Sequence, residues 1–228
     1  PLLNHARFEW RLQNGFRDSA IEMLSRSSER ASQLGKSERW ADARILIVRD
    51  LLFDGKNKQA YQLAANHHIA DGDSYAKLEW LAGFAALRRL NDPNRAVQHF
   101  ANFLSAVDTP ISLGRGHYWL GRAHAASGNR ETAQTAYQNG AKYQSSFYGL
   151  LSAEEANAPM PSDFLTWGEL PDWRDASFVN SSVLHAAILL FSANQNPLGE
   201  RFITHLSETL ATDDVHKLND FLEEFLHV

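Results

Sequence analysis

The sequence predicts an all-α protein built from stacked helical hairpins, and three observations support this fold class. Apolar residues recur with helical spacing, as in Leu78, Leu81, Ala82, Ala85 and Ala86. No segment shows the alternation of β-branched and polar residues that is typical of a strand. A small residue followed five positions later by alanine recurs along the chain, which indicates repeated pairs of helices.

The recurring motif pairs glycine or asparagine with alanine. Its instances are Gly15 with Ala20, Gly55 with Ala60, Asn91 with Ala96, and Gly128 with Ala133. Successive alanines lie 40, 36 and 37 residues apart, and tetratricopeptide-like hairpins repeat about every 34 residues. We expect the glycine or asparagine to end one helix in the left-handed conformation and the alanine to lie where the next helix crosses it closely. Four positions after each alanine comes another apolar residue, in turn Leu24, Ala64, Phe100 and Tyr137.

The turn residues between these motifs locate the helices. The predicted hairpins are 3–14 with 17–27, 38–53 with 57–66, 75–90 with 93–106, and 112–127 with 130–143. Pro93 suits a first helical turn. Further helices are predicted at 146–156, 177–193, 197–210 and 213–226. The hairpins should stack into a curved superhelix, an α-solenoid in which each unit buries its apolar face against its neighbours.

Three regions follow from this pattern. Residues 1–157 are the predicted hairpin superhelix, 158–176 a connecting loop, and 177–228 further helices that continue the superhelix. The loop contains three prolines and two tryptophans, which are Pro159, Pro161, Pro171, Trp167 and Trp173. We expect both tryptophans to pack in the core between neighbouring helices.

Composition excludes several classes of function. The chain has 228 residues and a formal net charge of −5, so it lacks the positive field that concentrates nucleic acid. The absence of cysteine excludes disulfides, cysteine–zinc sites and a thiol nucleophile. No apolar run approaches the roughly 20 residues that span a bilayer. Because the sequence starts with proline rather than methionine, we expect a processed or cut piece of a longer protein.

No cofactor or metal site is predicted. The sequence has neither a dinucleotide-binding nor a P-loop glycine pattern, and no His-Glu-x-x-His motif. His67 and His68 would diverge on a helix, and His117 and His124 have no third ligand at a suitable spacing. We expect His124 to pack in a hairpin interface.

Two segments go beyond a generic helical repeat. The first runs Thr109-Pro110-Ile111-Ser112, then Arg115, then Tyr118-Trp119-Leu120-Gly121-Arg122-Ala123. The second is Ser146-Phe147-Tyr148-Gly149-Leu150-Leu151, with Ala153-Glu154-Glu155 after it. Together with Glu79-Trp80-Leu81-Ala82-Gly83 upstream, they resemble the superhelical domain of soluble lytic murein transglycosylases. The resemblance is strongest over 79–155.

The resemblance implies a periplasmic protein of a Gram-negative bacterium that acts on peptidoglycan. Members of this family cleave the bond between N-acetylmuramic acid and N-acetylglucosamine without adding water, and they leave a 1,6-anhydro end. The acid–base glutamate belongs to a lysozyme-like domain in a Glu-Ser dipeptide, which this chain does not contain. The resemblance therefore implies a scaffold with no catalytic residue of its own. Its partners would be glycan strands, the family's C-terminal catalytic domain and cell-wall proteins.

Arg115 and Arg122 are the residues with the clearest choice between a functional and a structural role. Their spacing places both near one face of a helix. Either they meet the anionic peptide stems of peptidoglycan, with Tyr118 or Tyr148 against a sugar ring, or they form ion pairs with carboxylates of adjacent hairpins while the aromatic rings fill the core. We assign Trp119 to the core.

A different class of function is also compatible with the sequence. A free-standing helical-repeat protein would bind another protein through its concave face. The reading frame distinguishes the two hypotheses, because a Glu-Ser-bearing helical domain after Val228 favours the transglycosylase and a stop codon favours the free-standing protein.

Overall fold

In the computed structural model, residues 1–160 and 172–226 are described, and every regular element in these ranges is helical. The predicted all-α class is therefore confirmed. The chain divides into two compact units, with the boundary after Met160. Of the predicted connecting loop, residues 161–171 lie outside the described residues, and with them Pro161, Trp167 and Pro171.

The first unit, residues 1–160, contains ten α-helices. They are α1 (Leu2–Gln13), α2 (Arg17–Ser27), α3 (Ala31–Leu34), α4 (Ala41–Phe53), α5 (Asn57–Ala65), α6 (Gly72–Arg89), α7 (Pro93–Ser105), α8 (Pro110–Ala126), α9 (Arg130–Gly140) and α10 (Phe147–Ala156). The sequence analysis did not predict the short α3 or the 3-10 turn Ser37–Trp40 that follows it.

The long helices of this unit pack as the predicted pairs. Contacts join α1 to α2, α4 to α5, α6 to α7, and α8 to α9, and α10 lies against both helices of the last pair. Neighbouring pairs are joined by contacts of α5 with α6 and of α7 with α8. Successive hairpins thus contact one another along the unit.

The residues that end the first helix of each pair have the expected backbone. The φ angles of Gly15, Gly55 and Gly128 are +81°, +75° and +85°, and that of Asn91 is +54°. Glycine is favoured here because a side chain in the left-handed region meets the following carbonyl. The four alanines of the motif are buried, with 0% exposure for Ala20, Ala60 and Ala96 and 3% for Ala133.

Close approach within a pair also depends on glycines inside the first helix. A Cβ atom at Gly83 would lie 2.7 Å from Cε1 of Phe100, and one at Gly121 would lie 2.5 Å from Cε1 of Tyr137. Each aromatic ring therefore occupies the space that a side chain on the facing helix would take. Gly149 is tighter still, because its Cβ would collide with the backbone carbonyl of Tyr143.

A buried arginine connects α4 with the ends of α2 and α5. Arg44 of α4 has no exposed surface. Its Nη1 donates to the carbonyl oxygens of Leu63 (2.7 Å) and Asn66 (3.2 Å), and its Nη2 donates to the hydroxyl of Ser28 (2.8 Å). The carbonyls at the end of α5 carry the negative pole of that helix, which favours a cation there. Burial lowers the pKa of Arg44 to about 10.

The second unit is described over residues 172–226. It consists of α11 (Ser182–Ser192), α12 (Asn196–Thr209) and α13 (Thr212–Leu226), preceded by the 3-10 turns Trp173–Asp175 and Ser177–Asn180. The predicted helix start at Ser177 is therefore wrong. Ser181 ends the turn and caps α11, because its hydroxyl accepts from the amide of Val183 at 3.2 Å. The core contains Phe178, Leu184, Leu206, Leu218 and Phe221.

Trp173 packs at the edge of this second core. Its ring stands edge-on to Phe221 at a centroid distance of 5.0 Å, and its indole N–H donates to Glu224 at 2.8 Å. Arg174 lies over the same ring and forms an ion pair with Glu224 at 2.7 Å. Trp173 is thus half-buried within its own unit.

None of the described helices combines the length and apolarity that a bilayer-spanning helix needs.

We predict that Gly121→Ala destabilises the protein by about 1–3 kcal/mol, because the new methyl group would overlap the ring of Tyr137. An ordinary glycine-to-alanine change inside a helix instead stabilises by roughly 0.5–1 kcal/mol. Urea unfolding followed by circular dichroism measures the sign.

Gly149→Ala should cost more than Gly121→Ala, since a backbone carbonyl cannot rotate away. In a Tyr137→Leu background the cost of Gly121→Ala should fall, because the ring it meets is gone. A Gly121→Ala protein at least as stable as the wild type would contradict the close crossing.

Candidate binding site

Helix α8 lies at the centre of the candidate site. Thr109 precedes it and accepts from the amide of Ser112 at 3.4 Å, and Pro110 is its first residue. Contacts with α7, α9 and α10 hold α8 in place. Arg115, Trp119 and Arg122 therefore project from a helix that is supported by its neighbours.

The three sequence segments that carry the family resemblance meet at an aromatic cluster. Trp119 of α8 stands edge-on to Trp80 of α6, with centroids 6.1 Å apart, and lies 6.4 Å from Tyr148 of α10. Phe84 and Phe100 contact the same indole at 5.5 Å and 6.0 Å. Trp119 is half-buried and joins the cores of two neighbouring hairpins.

The guanidinium of Arg115 lies over one ring of this cluster. The carbon at the centre of its guanidinium is 3.6 Å from the centroid of the Trp80 ring, a close cation–π contact. Its Nε is buried and has no hydrogen-bond partner among the described residues. The pKa of Arg115 is lowered chiefly by burial.

Arg122 is engaged differently, about two turns further along α8. Its Nη1 donates to the hydroxyl of Tyr118 at 2.7 Å. Tyr118 is only 7% exposed and packs against Trp119, Tyr137 and Tyr148. A sugar ring therefore has no access to the face of Tyr118, and the expectation that Tyr118 lies against a sugar is wrong.

The structural alternative for both arginines was an ion pair with carboxylates of adjacent hairpins. Within residues 1–160, neither Arg115 nor Arg122 forms such a pair. The structural role of Arg122 is instead its bond to a phenol hydroxyl. The two arginines thus differ: Arg122 binds Tyr118 of its own helix, whereas Arg115 makes no hydrogen bond within residues 1–160.

The second motif segment lies beside the first. The hydroxyl of Ser146 accepts from the amide of Gly149 at 3.1 Å and so caps α10. Tyr148 is half-buried, and its centroid is 5.5 Å from that of Tyr118. Phe147 is 68% exposed and stands edge-on to Tyr148.

The four histidines weighed as metal ligands lie in different surroundings. His67 and His68 lie in the loop after α5 and not on a helix. His68 has a φ of +54°, in the left-handed region. His117 and His124 are half-buried on α8, and the Nδ1 atom of each is buried without a partner. Within the described part of the chain, no group of three or more histidine, aspartate or glutamate side chains has the arrangement of a metal site.

Sequence reasoning missed a buried polar network next to Trp80. Glu79 is 5% exposed, and its carboxylate contacts His67 Nε2 at 3.1 Å and His99 Nδ1 at 2.7 Å. Asn102 also donates to this carboxylate at 3.3 Å, and the hydroxyl of Tyr61 lies 3.1 Å from His99 Nε2. The network joins α6 to α5, to the loop after it, and to α7.

Hydrogen bonding fixes the roles of the ring nitrogens. His67 Nδ1 accepts from the amide of Ile69 at 2.9 Å, so Nε2 carries the proton that is donated to Glu79. His99 likewise donates from Nδ1, because a carboxylate only accepts. Burial alone would raise the pKa of Glu79, but the hydrogen bonds from His67 and His99 outweigh burial and lower this pKa to about 2.

No protein-family model matches the chain, and no curated protein is significantly similar to it. The residues and their geometry are therefore the basis for any function. They place Arg115, which has no ion pair within the described residues, on an aromatic cluster, and the buried carboxylate of Glu79 belongs to the residue next to Trp80.

We predict that Glu79→Gln lowers the free energy of unfolding at pH 7 by about 1–3 kcal/mol, because the amide cannot accept from His67, His99 and Asn102 together. The folded-state pKa of Glu79 lies below its ordinary value of 4.5. Its charge therefore stabilises the fold above about pH 4.5, and this contribution is lost as the pH falls towards about 2.

Urea unfolding of the wild type and Glu79→Gln across this pH range tests the prediction, with the exposed Glu154→Gln as control. The difference in stability between wild type and Glu79→Gln should shrink with falling pH, and the control should stay within about 0.5 kcal/mol of the wild type. A difference that does not change with pH would contradict the role of the Glu79 charge.

Proposed function

We propose that this chain is the non-catalytic helical scaffold of a periplasmic peptidoglycan lytic transglycosylase. Its hairpins would form a tetratricopeptide-like superhelix that positions glycan strands. A lysozyme-like domain would then cleave the bond between N-acetylmuramic acid and N-acetylglucosamine without water and release a 1,6-anhydro product. The scaffold itself would have no lytic activity.

One observation carries this proposal. The segments that resemble the transglycosylase family are distant in sequence, yet Trp80, Arg115, Trp119 and Tyr148 pack on one another. Their convergence supports the interpretation of the motif as a single functional unit.

The arrangement of the hairpins supports a shared binding surface. Trp80 lies on α6 and Arg115 on α8, which are the first helices of successive pairs, and Tyr148 lies on α10 after them. In a stack of hairpins, corresponding helices line the same side, and solenoids use such extended surfaces for binding. Aromatic rings beside a cation suit a glycan that carries carboxylates, because sugars stack on rings and carboxylates pair with guanidinium.

The proposal includes partners beyond the glycan. The catalytic domain of the same enzyme would be the permanent partner, and cell-wall proteins would be further candidate partners. No cofactor or metal is required, because the family's cleavage uses one glutamate as acid and then as base.

The test uses purified peptidoglycan sacculi and two proteins: this chain, and the protein encoded by its whole reading frame. We expect both to co-sediment with sacculi, and only the longer protein to release 1,6-anhydro muropeptides detected by mass spectrometry. Bovine serum albumin serves as the control for trapping in the pellet.

Failure of both proteins to bind and to cleave would refute the proposal and favour the alternative, a free-standing repeat protein that binds another protein. Anhydro products from this chain alone would refute the scaffold role, since they would require an acid–base residue within it.

A further inference from the structure

The tripeptide Gln-Asn-Gly occurs twice in the chain, at residues 13–15 and 138–140. An asparagine followed by glycine can react with its own backbone, because glycine has no side chain to hinder the approach of its amide nitrogen to the asparagine side chain. Asparagine is accordingly one of the thermolabile residues of proteins. Since the two tripeptides are identical, the folded structure decides which of them reacts.

The first of these tripeptides ends in an exposed turn. Asn14 and Gly15 lie between α1 and α2, and both are exposed. The amide nitrogen of Gly15 is 3.4 Å from the carbonyl oxygen of Leu12, beyond the usual range of a backbone hydrogen bond. A Cβ atom at Gly15 would have no neighbour within 4 Å. The nucleophilic nitrogen is thus weakly held and has free space around it.

The second tripeptide lies within packed helical structure. Gly140 is the last residue of α9, so its amide belongs to the hydrogen-bond ladder of that helix. Gly140 is buried, and a Cβ atom there would overlap Ser152 of α10 and approach the Cβ of His117 to 3.2 Å. A new ring at this position would break the last turn of α9 and collide with α10. Reaction at Asn139 therefore requires local unfolding.

The hydrogen bonds of the two asparagine side chains are comparable. Nδ2 of Asn14 donates to the carbonyl oxygen of Trp10 at 2.8 Å, and Oδ1 of Asn139 accepts from Nζ of Lys142 at 2.9 Å. Each side chain gives up one such bond when it reacts. The difference between the two sites therefore lies in the main chain.

We propose that Asn14 is a site of spontaneous chemical modification in the folded protein and that Asn139 is protected. The backbone nitrogen of Gly15 attacks Cγ of Asn14 and forms an N–C bond. The Cγ–Nδ2 bond breaks, and the proton lost by Gly15 leaves with the amide group as ammonia. Water then opens the succinimide ring. Cleavage of the bond to Cγ gives aspartate, and cleavage of the bond to the main-chain carbonyl carbon gives isoaspartate. The proposal is independent of the function proposed above.

The modification would change the end of the first hairpin. Either product places a carboxylate beside the C-terminal end of α1, where the negative pole of the helix disfavours an anion. Isoaspartate also adds a methylene group to the main chain of the turn, which is closed by the hydrogen bond from the amide of Phe16 to the carbonyl oxygen of Arg11 at 2.8 Å. We therefore expect modification to loosen the contact between α1 and α2.

The experiment incubates the whole chain at mildly alkaline pH and follows both tripeptides by proteolytic digestion and mass spectrometry. Deamidation replaces –NH2 by –OH and so raises the mass of the peptide, and chromatography separates its aspartate and isoaspartate forms. We expect Asn14 to react at least about tenfold faster than Asn139, which corresponds to about 1.4 kcal/mol for local opening at the end of α9.

Two controls separate the effect of the fold from that of the sequence. In concentrated guanidinium chloride both asparagines should react at similar rates, because neither is protected by structure. In the folded protein Asn14→Gln should remove most of the deamidation, whereas Asn139→Gln should leave its rate unchanged. Circular dichroism verifies that each variant is folded.

Selective reaction at Asn14 that is lost in denaturant supports the proposal. Equal rates at the two asparagines in the folded protein, or a faster reaction at Asn139, overturn it. So does an unreacted Asn14 in the folded protein over the time in which the denatured chain reacts at both positions. Selectivity that persists in denaturant would assign the difference to the flanking sequence and overturn the structural protection.

Discussion

The close crossing of paired helices at residues with little or no side chain is the constraint on which the first unit depends. Ala96 and Ala133 are buried at the crossings, and one turn later Phe100 and Tyr137 reach the backbone of Gly83 and Gly121. An aromatic ring against a glycine fills the interface without separating the helices, because the ring replaces the missing side chain. The same contacts set where α6 and α8 lie, and these helices carry Trp80 and Arg115.

The buried carboxylate of Glu79 connects this packing to the candidate site. It is surrounded by His67, His99 and Asn102, so it ties α6 to the loop after α5 and to α7. A fully satisfied buried network holds its members in one arrangement, since any rotation leaves a charge without partners. Trp80 is the next residue on the same helix. The network therefore fixes the platform on which the guanidinium of Arg115 rests.

Local rules predicted much of the first unit. The spacing of Gly55 with Ala60, or of Gly128 with Ala133, located the helix ends and crossings because left-handed turns and close packing restrict residue type at single positions. The helix start expected at Ser177 was wrong because a 3-10 turn and a serine cap compete there with a longer helix. The Glu79 network was missed for a different reason. His67, Glu79 and His99 have no characteristic spacing, and only the packing of three segments brings them together.

Arg122 and Arg115 differ in how the polar atoms of their guanidinium groups are satisfied. Arg122 has an acceptor in Tyr118, and the pair closes within one helix. The Nε of Arg115 is buried beside Trp80 without an acceptor among the described residues, which costs free energy. An apolar side chain of similar length would cover the indole at lower cost. Local rules are most often broken at functional sites, which is why the proposed binding surface of the scaffold is centred on Arg115 and Trp80.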